Sequence, residues 1–369
     1  MKKTFALALA GAVAAVALAG VGAGTAQAQT KKPVNIYIWN DYLGETTLAD
    51  FTKASGYQTK VDLYDSLELL EQKVLVGKSG YDVIVPTAEP TLSNMIKAKV
   101  LAPLDKAKIP NLKNVDPAML KLVATSDPGN KFAVPYLGGT VGIGLVPEKI
   151  KAVAPDVALD SWDLIFKPEV AKKVAACGIT LMDSAIDVIP SVLNYLGLDP
   201  NSEKKEDLDK AEAALMAVRP YIKQFVTGQN INLLAAGDAC VVMAYNGDVN
   251  QAGARAKEAK ASHTVQYLAP KEGVQVWWDN LAVPADAPNK EGAFAYINFI
   301  LDPANIAGVS NTVKYANAVP SSPVDAEVKG NPAVYLPETS KVKLFSLKAI
   351  KQSTDRARTR VWTKVKTGK

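Results

Sequence analysis

The sequence predicts an α/β protein of two lobes joined by a hinge, with a cleft between them. Its 369 residues exceed what one hydrophobic core usually holds. Strand-like runs alternate with helical patterns, which is typical of a parallel sheet covered by helices. Extended segments at 132–146 and 264–268 provide two crossings between lobes. Two crossings joining two α/β units describe a hinged clamshell.

The first 28 residues have the pattern of a secretory signal peptide. Lys2 and Lys3 precede an apolar, alanine-rich run, and Ala26 and Ala28 supply the small residues of a cleavage site. A membrane anchor is the alternative interpretation, but no second run of about 20 apolar residues follows. No cysteine lies near the cleavage site, which disfavours a lipid anchor. We therefore expect an exported protein.

Charge and composition exclude several functions. The formal net charge of +5 falls to +3 when the signal segment, with two lysines and no acids, is removed. This is too small to predict a nucleic-acid partner. His263 is the sole histidine, which excludes a histidine-rich metal site and disfavours Ser-His-Asp or Cys-His catalysis. Asp160 and Asp163 are close enough for an acid/base pair, but surface acids are the better interpretation. We expect no enzyme activity and no cofactor.

The two cysteines, Cys177 and Cys240, are expected to form a disulfide. In an exported protein a cysteine pair is more often bridged than metal-bound. Two buried free thiols are the alternative.

The first α/β unit begins directly after the signal segment. Strands are predicted at 34–39, 61–64 and 81–86, and helices at 46–53 and 67–76. In such sheets ligands bind outside the carboxyl ends of the strands. Trp39, Asp41 and Thr87 follow strands in this way, which core packing does not require.

A glycine-rich extended segment at 132–146 follows. Its spacing does not fit a nucleotide-binding loop, because no helix opens directly after it. We interpret it as a crossing strand, where glycine tolerates the dihedral changes of a hinge. A second unit at 147–260 contains a helix at 210–218 and a strand at 239–244, and 264–268 is the predicted return crossing. The basic tail at 346–369 is interpreted as a solvated end.

Aromatic residues stand within three positions of an aspartate at three distant places. These are Trp39 with Asp41 and Tyr42, Tyr245 with Asp248, and Trp277 with Asp279. A carboxylate neutralises an ammonium group and accepts its N–H bonds, while an aromatic face attracts the charge and covers the neighbouring methylenes. Saccharides are held in a similar way, so the ligand is an organic cation or a sugar. Any single pair could be structural, and the recurrence favours a binding site.

With these residues in view, the chain resembles the putrescine- and spermidine-binding family of periplasmic proteins that serve ABC importers. The similarity covers essentially the whole mature chain. It is carried by segments 36–42, 81–86, 130–136, 161–164, 193–197, 315–318 and 358–364. The resemblance implies a type II periplasmic binding protein clamshell, a monomer in the periplasm, an interlobe polyamine and a membrane permease as partner.

The resemblance also implies the ligand contacts. They are Trp39, Asp41, Tyr42, Thr87, Asp187, Tyr245, Asp248, Trp277, Asp279 and Tyr315. Thr87 stands where the family often has serine, Tyr245 where putrescine binders often have tryptophan, and Asp187 where glutamate is usual. The shorter Asp187 and the large Trp277 favour spermidine over putrescine, although Tyr245 with a bridging water could reverse the choice. The two cysteines match positions that relatives can bridge.

The predicted organisation has four parts: a signal peptide at 1–28, a first lobe from 29–137 plus about 265–310, a second lobe at 138–264, and a C-terminal segment at 311–369 that packs on the lobes. The predicted function is capture of a polyamine by hinge closure and delivery to an ABC importer. An exported carbohydrate-binding protein is the alternative.

Overall fold

A mixed β-sheet organises the fold. The structure is a computed structural model that describes residues 31–335 and 341–369, so the predicted signal peptide lies outside the described residues. The strands within this part are β1 Val34–Trp39, β2 Thr59–Tyr64, β3 Val83–Ile84, β4 Ala133–Leu145, β5 Ile179–Leu181, β6 Ile222–Phe225, β7 Val241–Tyr245, β8 Gln266–Leu268, β9 Val274–Ala282, β10 Ala316–Asn317 and β11 Leu344–Ser346.

Helices cover the sheet. Those in the described part are α1 Thr47–Ser55, α2 Leu67–Leu75, α3 Ser93–Lys97, α4 Pro117–Val123, α5 Pro147–Val153, α6 Asp163–Phe166, α7 Pro168–Val174, α8 Ala185–Tyr195, α9 Lys205–Val218, α10 Asn230–Ala236, α11 Asn246–Glu258, α12 Lys290–Ile300, α13 Pro303–Val313, α14 Ala326–Lys329 and α15 Gln352–Thr367. None of them has the length and apolar character needed to cross a bilayer.

Two parallel groups of strands flank a long antiparallel pair. The order is β2-β1-β3-β9-β4-β7-β5-β6; β1 is parallel to β2 and β3, and β5 is parallel to β6 and β7. Between the groups, β4 and β9 pair antiparallel from Ala133↔Ala282 to Val141↔Gln275. The predicted α/β fold and the long strand at 132–146 are confirmed.

The predicted return crossing at 264–268 is wrong. Its ordered part, β8, has three residues and pairs only with the Ile143–Leu145 end of β4. At about 3.3 Å per residue, β8 spans too little distance to cross the sheet. The nine-residue β9 makes the crossing and reaches β3 at Ala282.

The glycines of β4 permit close packing. Gly139 lies opposite Trp277, and a Cβ there would overlap the Asn246 side chain and crowd the Trp277 ring. Gly139 does not have a positive φ, so backbone freedom is not why glycine is required at this position. The absence of a side chain lets Trp277 lie against the strand.

The C-terminal helix α15 is partly buried. Arg358 and Trp362 are buried, and the Arg358 guanidinium donates to the carbonyl oxygens of Pro200 and Ser202. The helix packs against α8 and α9. The prediction of a solvated basic end is therefore wrong for Arg358, because carbonyl groups more than 150 positions earlier in the chain satisfy its charge.

The predicted disulfide between Cys177 and Cys240 is present and is confirmed. Cys177 precedes β5 and Cys240 precedes β7, and these strands are paired at Ile179↔Val241. The bridge therefore ties together the starts of two neighbouring parallel strands.

Removing the disulfide is expected to lower the free energy of unfolding by about 4 kcal/mol, since it closes a loop of 63 residues. Urea unfolding of the Cys177→Ser/Cys240→Ala double variant measures this. Wild-type protein reduced in denaturant and refolded under reducing conditions serves as the control, because it loses only the covalent link. A change below about 1 kcal/mol would contradict the chain-entropy estimate.

Candidate functional site

A cavity lies at the carboxyl ends of β1, β2, β6 and β7. It encloses about 430 Å³. Its lining residues are Trp39, Asn40, Tyr42, Tyr64, Asp65, Thr87, Thr227, Gly228, Tyr245, Asp248, Trp277, Asp279 and Tyr315. Eight of the ten residues predicted as ligand contacts are among them, and Asp41 and Asp187 are not.

Sheet register brings the side chains of β9 to the cavity. Gln275, Trp277 and Asp279 alternate with Val276 and Trp278 along the strand, so they share one face. Thr87, just after β3, forms a backbone bridge with Asp279. Trp277 and Asp279 thus enter the cavity from one strand, and Thr87 joins them from its neighbour.

Aromatic rings form a continuous chain around the cavity. Tyr245 lies edge-on to both Trp39 and Trp277, at centroid distances of 6.0 Å and 5.4 Å. Tyr315 lies edge-on to Trp277 at 5.3 Å and to Tyr42 at 5.4 Å. These rings present faces to a cation and to the methylenes beside it.

Asp279 is a buried carboxylate without a basic partner in the described part of the chain. Thr87 donates its hydroxyl to it. Burial raises the pKa of Asp279 to about 7, while the neighbouring Thr87, Tyr42 and Trp39 groups oppose the rise. The Tyr42 hydroxyl and the Trp39 indole N–H do not complete hydrogen bonds. A buried carboxylate in this state gains most from a cation that enters the cavity.

Asp248 forms the second acidic position. It lies in the first turn of α11, where the helix dipole favours negative charge. The Tyr315 hydroxyl donates to Asp248 Oδ1 at 2.7 Å. Burial raises the pKa of Asp248 to about 7, although the side chain keeps partial exposure to the cavity. A Cβ at Gly247 would overlap the Tyr315 ring, so glycine permits this contact.

Asp41 lies outside the cavity lining. It forms an ion pair with Arg255 of α11 at 2.9 Å and accepts a hydrogen bond from Asn40 Nδ2 at 2.9 Å. This contact joins the loop after β1 to a helix more than 200 positions later in the chain.

Asp187 lies behind the Tyr245 ring. Its carboxylate is buried and accepts hydrogen bonds from Ser184, Tyr245 and Gln275. Burial raises the pKa of Asp187, and these three donors oppose the rise. Direct contact of Asp187 with a ligand stays a prediction from the resemblance.

Sequence reasoning did not select Tyr64, Asp65, Thr227 and Gly228, which line the cavity mouth. Each directly ends or follows a parallel strand, β2 or β6. The strand-end rule that selected Trp39 and Thr87 could therefore have found them.

The fold and the site define a two-lobed solute-binding protein with an enclosed cleft. A family model described as bacterial extracellular solute-binding protein matches residues 46–336. The chain belongs to this family. It is a binding protein of the transport class, not an enzyme, with the type II periplasmic binding protein fold.

The relatives carry names of one kind. The putrescine-binding periplasmic protein PotF of Escherichia coli (strain K12) is 47% identical over 343 residues, which cover 92% of each chain. The putrescine-binding periplasmic protein SpuD of Pseudomonas aeruginosa (strain UCBPP-PA14) is 43% identical over 92% of this chain and 93% of its own. A solved structure, a putative spermidine/putrescine ABC transporter protein of Listeria monocytogenes, has a TM-score of 0.82 at 28% identity, covering 92% of this chain and 100% of its own.

Proposed function

We propose that this chain is a periplasmic binding protein that captures a polyamine and delivers it to the permease of an ABC importer. The observation that carries the proposal is the pair Asp248 and Asp279, which face an aromatic cavity without an ion-paired basic side chain of their own in the described residues. Two ammonium groups would neutralise two carboxylates, and the rings would cover the methylenes between them. The names of the relatives support the same ligand class and the same compartment.

The proposal includes ligand contacts by the eight predicted residues that line the cavity. It also includes the predicted lobes, 29–137 with about 265–310 and 138–264, with the C-terminal segment 311–369 packed on them, in a protein that acts as a monomer. The lobes would exchange between open and closed states, and a ligand that contacts both would favour closure. The Asp41–Arg255 ion pair, which joins the loop after β1 to α11, would stabilise the closed state.

A carbohydrate ligand is not supported. A sugar cannot neutralise buried carboxylates, so Asp248 and Asp279 would stay unpaired in the complex. The relatives reported above are named for polyamines rather than for sugars.

Calorimetric titration of the purified protein with putrescine, spermidine, agmatine, maltose and arginine tests the ligand class. We expect a polyamine to bind with a dissociation constant of about 1 μM or tighter, roughly −8 kcal/mol. No heat and no thermal shift with any polyamine, together with a response to maltose, would refute the proposal.

A further inference from the structure

We propose that the Tyr245 hydroxyl withdraws the Asp187 carboxylate from the cavity, so that the site offers two free carboxylates and prefers a diamine over a triamine. This inference rests on the proposed polyamine function. It assigns Asp187 a positioning role, acting through Tyr245.

The donors around Asp187 occupy both of its carboxylate oxygens. Oδ2 accepts from the Tyr245 hydroxyl at 2.9 Å and from Ser184 Oγ at 2.8 Å. Oδ1 accepts from Gln275 Nε2 at 3.0 Å. The side chain is 2% exposed and does not contribute to the cavity lining. An ammonium group could reach this carboxylate only by displacing a protein donor.

The sheet fixes this arrangement. Tyr245 on β7 and Gln275 on β9 are both register partners of Val141 on β4, the strand between them. Register partners place their side chains on the same face of a sheet, so both point towards Asp187. On the other side, Ser184 caps the first turn of α8 by accepting from the Asp187 backbone N–H. Three elements thus hold Asp187 in place.

The number of free carboxylates sets the expected preference. A diamine matches Asp248 and Asp279, which line the cavity, one ammonium to each. The middle ammonium of a triamine would be desolvated without a carboxylate of its own, which is unfavourable. This reverses the preference for spermidine drawn from the sequence, which assumed that the shorter Asp187 leaves open space for a longer ligand. In the structure the Tyr245 ring separates Asp187 from the cavity.

Spermidine and 1,8-diaminooctane test the charge count at constant length, since they differ by one ammonium in place of one methylene. In the wild-type protein we expect 1,8-diaminooctane to bind at least about tenfold more tightly than spermidine, and putrescine to bind more tightly than spermidine. Equal or tighter binding of spermidine would overturn the inference. So would binding of putrescine alone, because length rather than charge would then set the preference.

Tyr245→Phe should release Asp187 while keeping the aromatic ring. We expect the ratio of spermidine to 1,8-diaminooctane affinity to rise by about tenfold in this variant, and Asp187→Asn in the same background to abolish the rise. Tyr195→Phe is a matched control, because Tyr195 donates to Asp163 at the same 2.9 Å distance and does not line the cavity. Its ratio should equal that of the wild type, and an unchanged ratio in Tyr245→Phe would overturn the inference.

Asp187→Asn in the wild-type background separates a positioning role from direct contact. The amide oxygen can still accept from Tyr245, so we expect putrescine affinity to fall less than about tenfold. An equal loss in Asp187→Asn and Asp279→Asn would overturn the inference and leave the polyamine function intact. If no amine binds the wild-type protein, the proposed function itself fails.

Discussion

Asp279→Asn is expected to weaken putrescine binding by a factor of about 30 or more. Asp279 is 2% exposed, has no basic partner in the described residues, and would neutralise an ammonium group in a desolvated cavity. Removing one partner of a buried charge pair costs about 2 to 5 kcal/mol, because the other charge is left unpaired. The asparagine oxygen can still accept the Thr87 hydroxyl, so the shape of the cavity is preserved. Isothermal titration calorimetry measures the loss.

The same substitution should not destabilise the ligand-free protein. Asp279 in its charged form is buried without a cation, so a neutral amide removes a desolvation cost at neutral pH. We expect an unchanged or higher melting temperature, which separates lost affinity from misfolding. Asp160→Asn is the control, because Asp160 is an exposed acid paired with Lys271. Wild-type affinity in Asp279→Asn would show that this carboxylate does not hold the ligand.

Polyamine affinity is expected to fall as the pH is lowered from 8 to 6. Burial raises the pKa of both Asp248 and Asp279 to about 7 in the ligand-free protein. An ammonium partner favours the charged form and lowers both values in the complex. The complex therefore holds fewer protons than the free protein, and binding releases protons. Lower pH opposes such binding.

Each carboxylate contributes up to about tenfold over these two pH units, and both together about 100-fold. The contribution of Asp279 is the firmer of the two, since Asp248 keeps partial exposure. Titrations in buffers of different ionisation enthalpy count the protons released. Asp279→Asn should remove about one proton from that count. A flat affinity between pH 6 and pH 8 would show that both acids are already charged in the free protein.

The stability of the ligand-free protein should respond to pH in the opposite direction. The pKa of Asp279 is higher in the folded state, about 7, than in the unfolded chain, where it is about 3.9. The folded state therefore binds more protons between these values, and this group adds stability as the pH falls through 7 towards 4. Comparing melting temperatures with and without putrescine at pH 6 and pH 8 separates the two effects.

Much of the fold followed from local patterns. The strand at Val34–Trp39 is predicted without error, because apolar residues buried on both faces form a continuous run. The return strand was misplaced, since β8 and β9 are both extended and only pairing with β4 distinguishes a short strand from a crossing one. Burial of Arg358 was also missed, because its carbonyl partners lie more than 150 residues away.

The sequence by itself determined the chemistry of the site. Aromatic residues and aspartates at the carboxyl ends of strands converge in any sheet of this type, so an aromatic, acidic cavity follows from residue order. The tertiary structure alone decided which aspartates face it. Asp248 and Asp279 do, while Asp41 is paired with Arg255, 214 positions away, and Asp187 is held by Tyr245, 58 positions away. Long-range partners decide whether a carboxylate stays free, and a local pattern does not contain them.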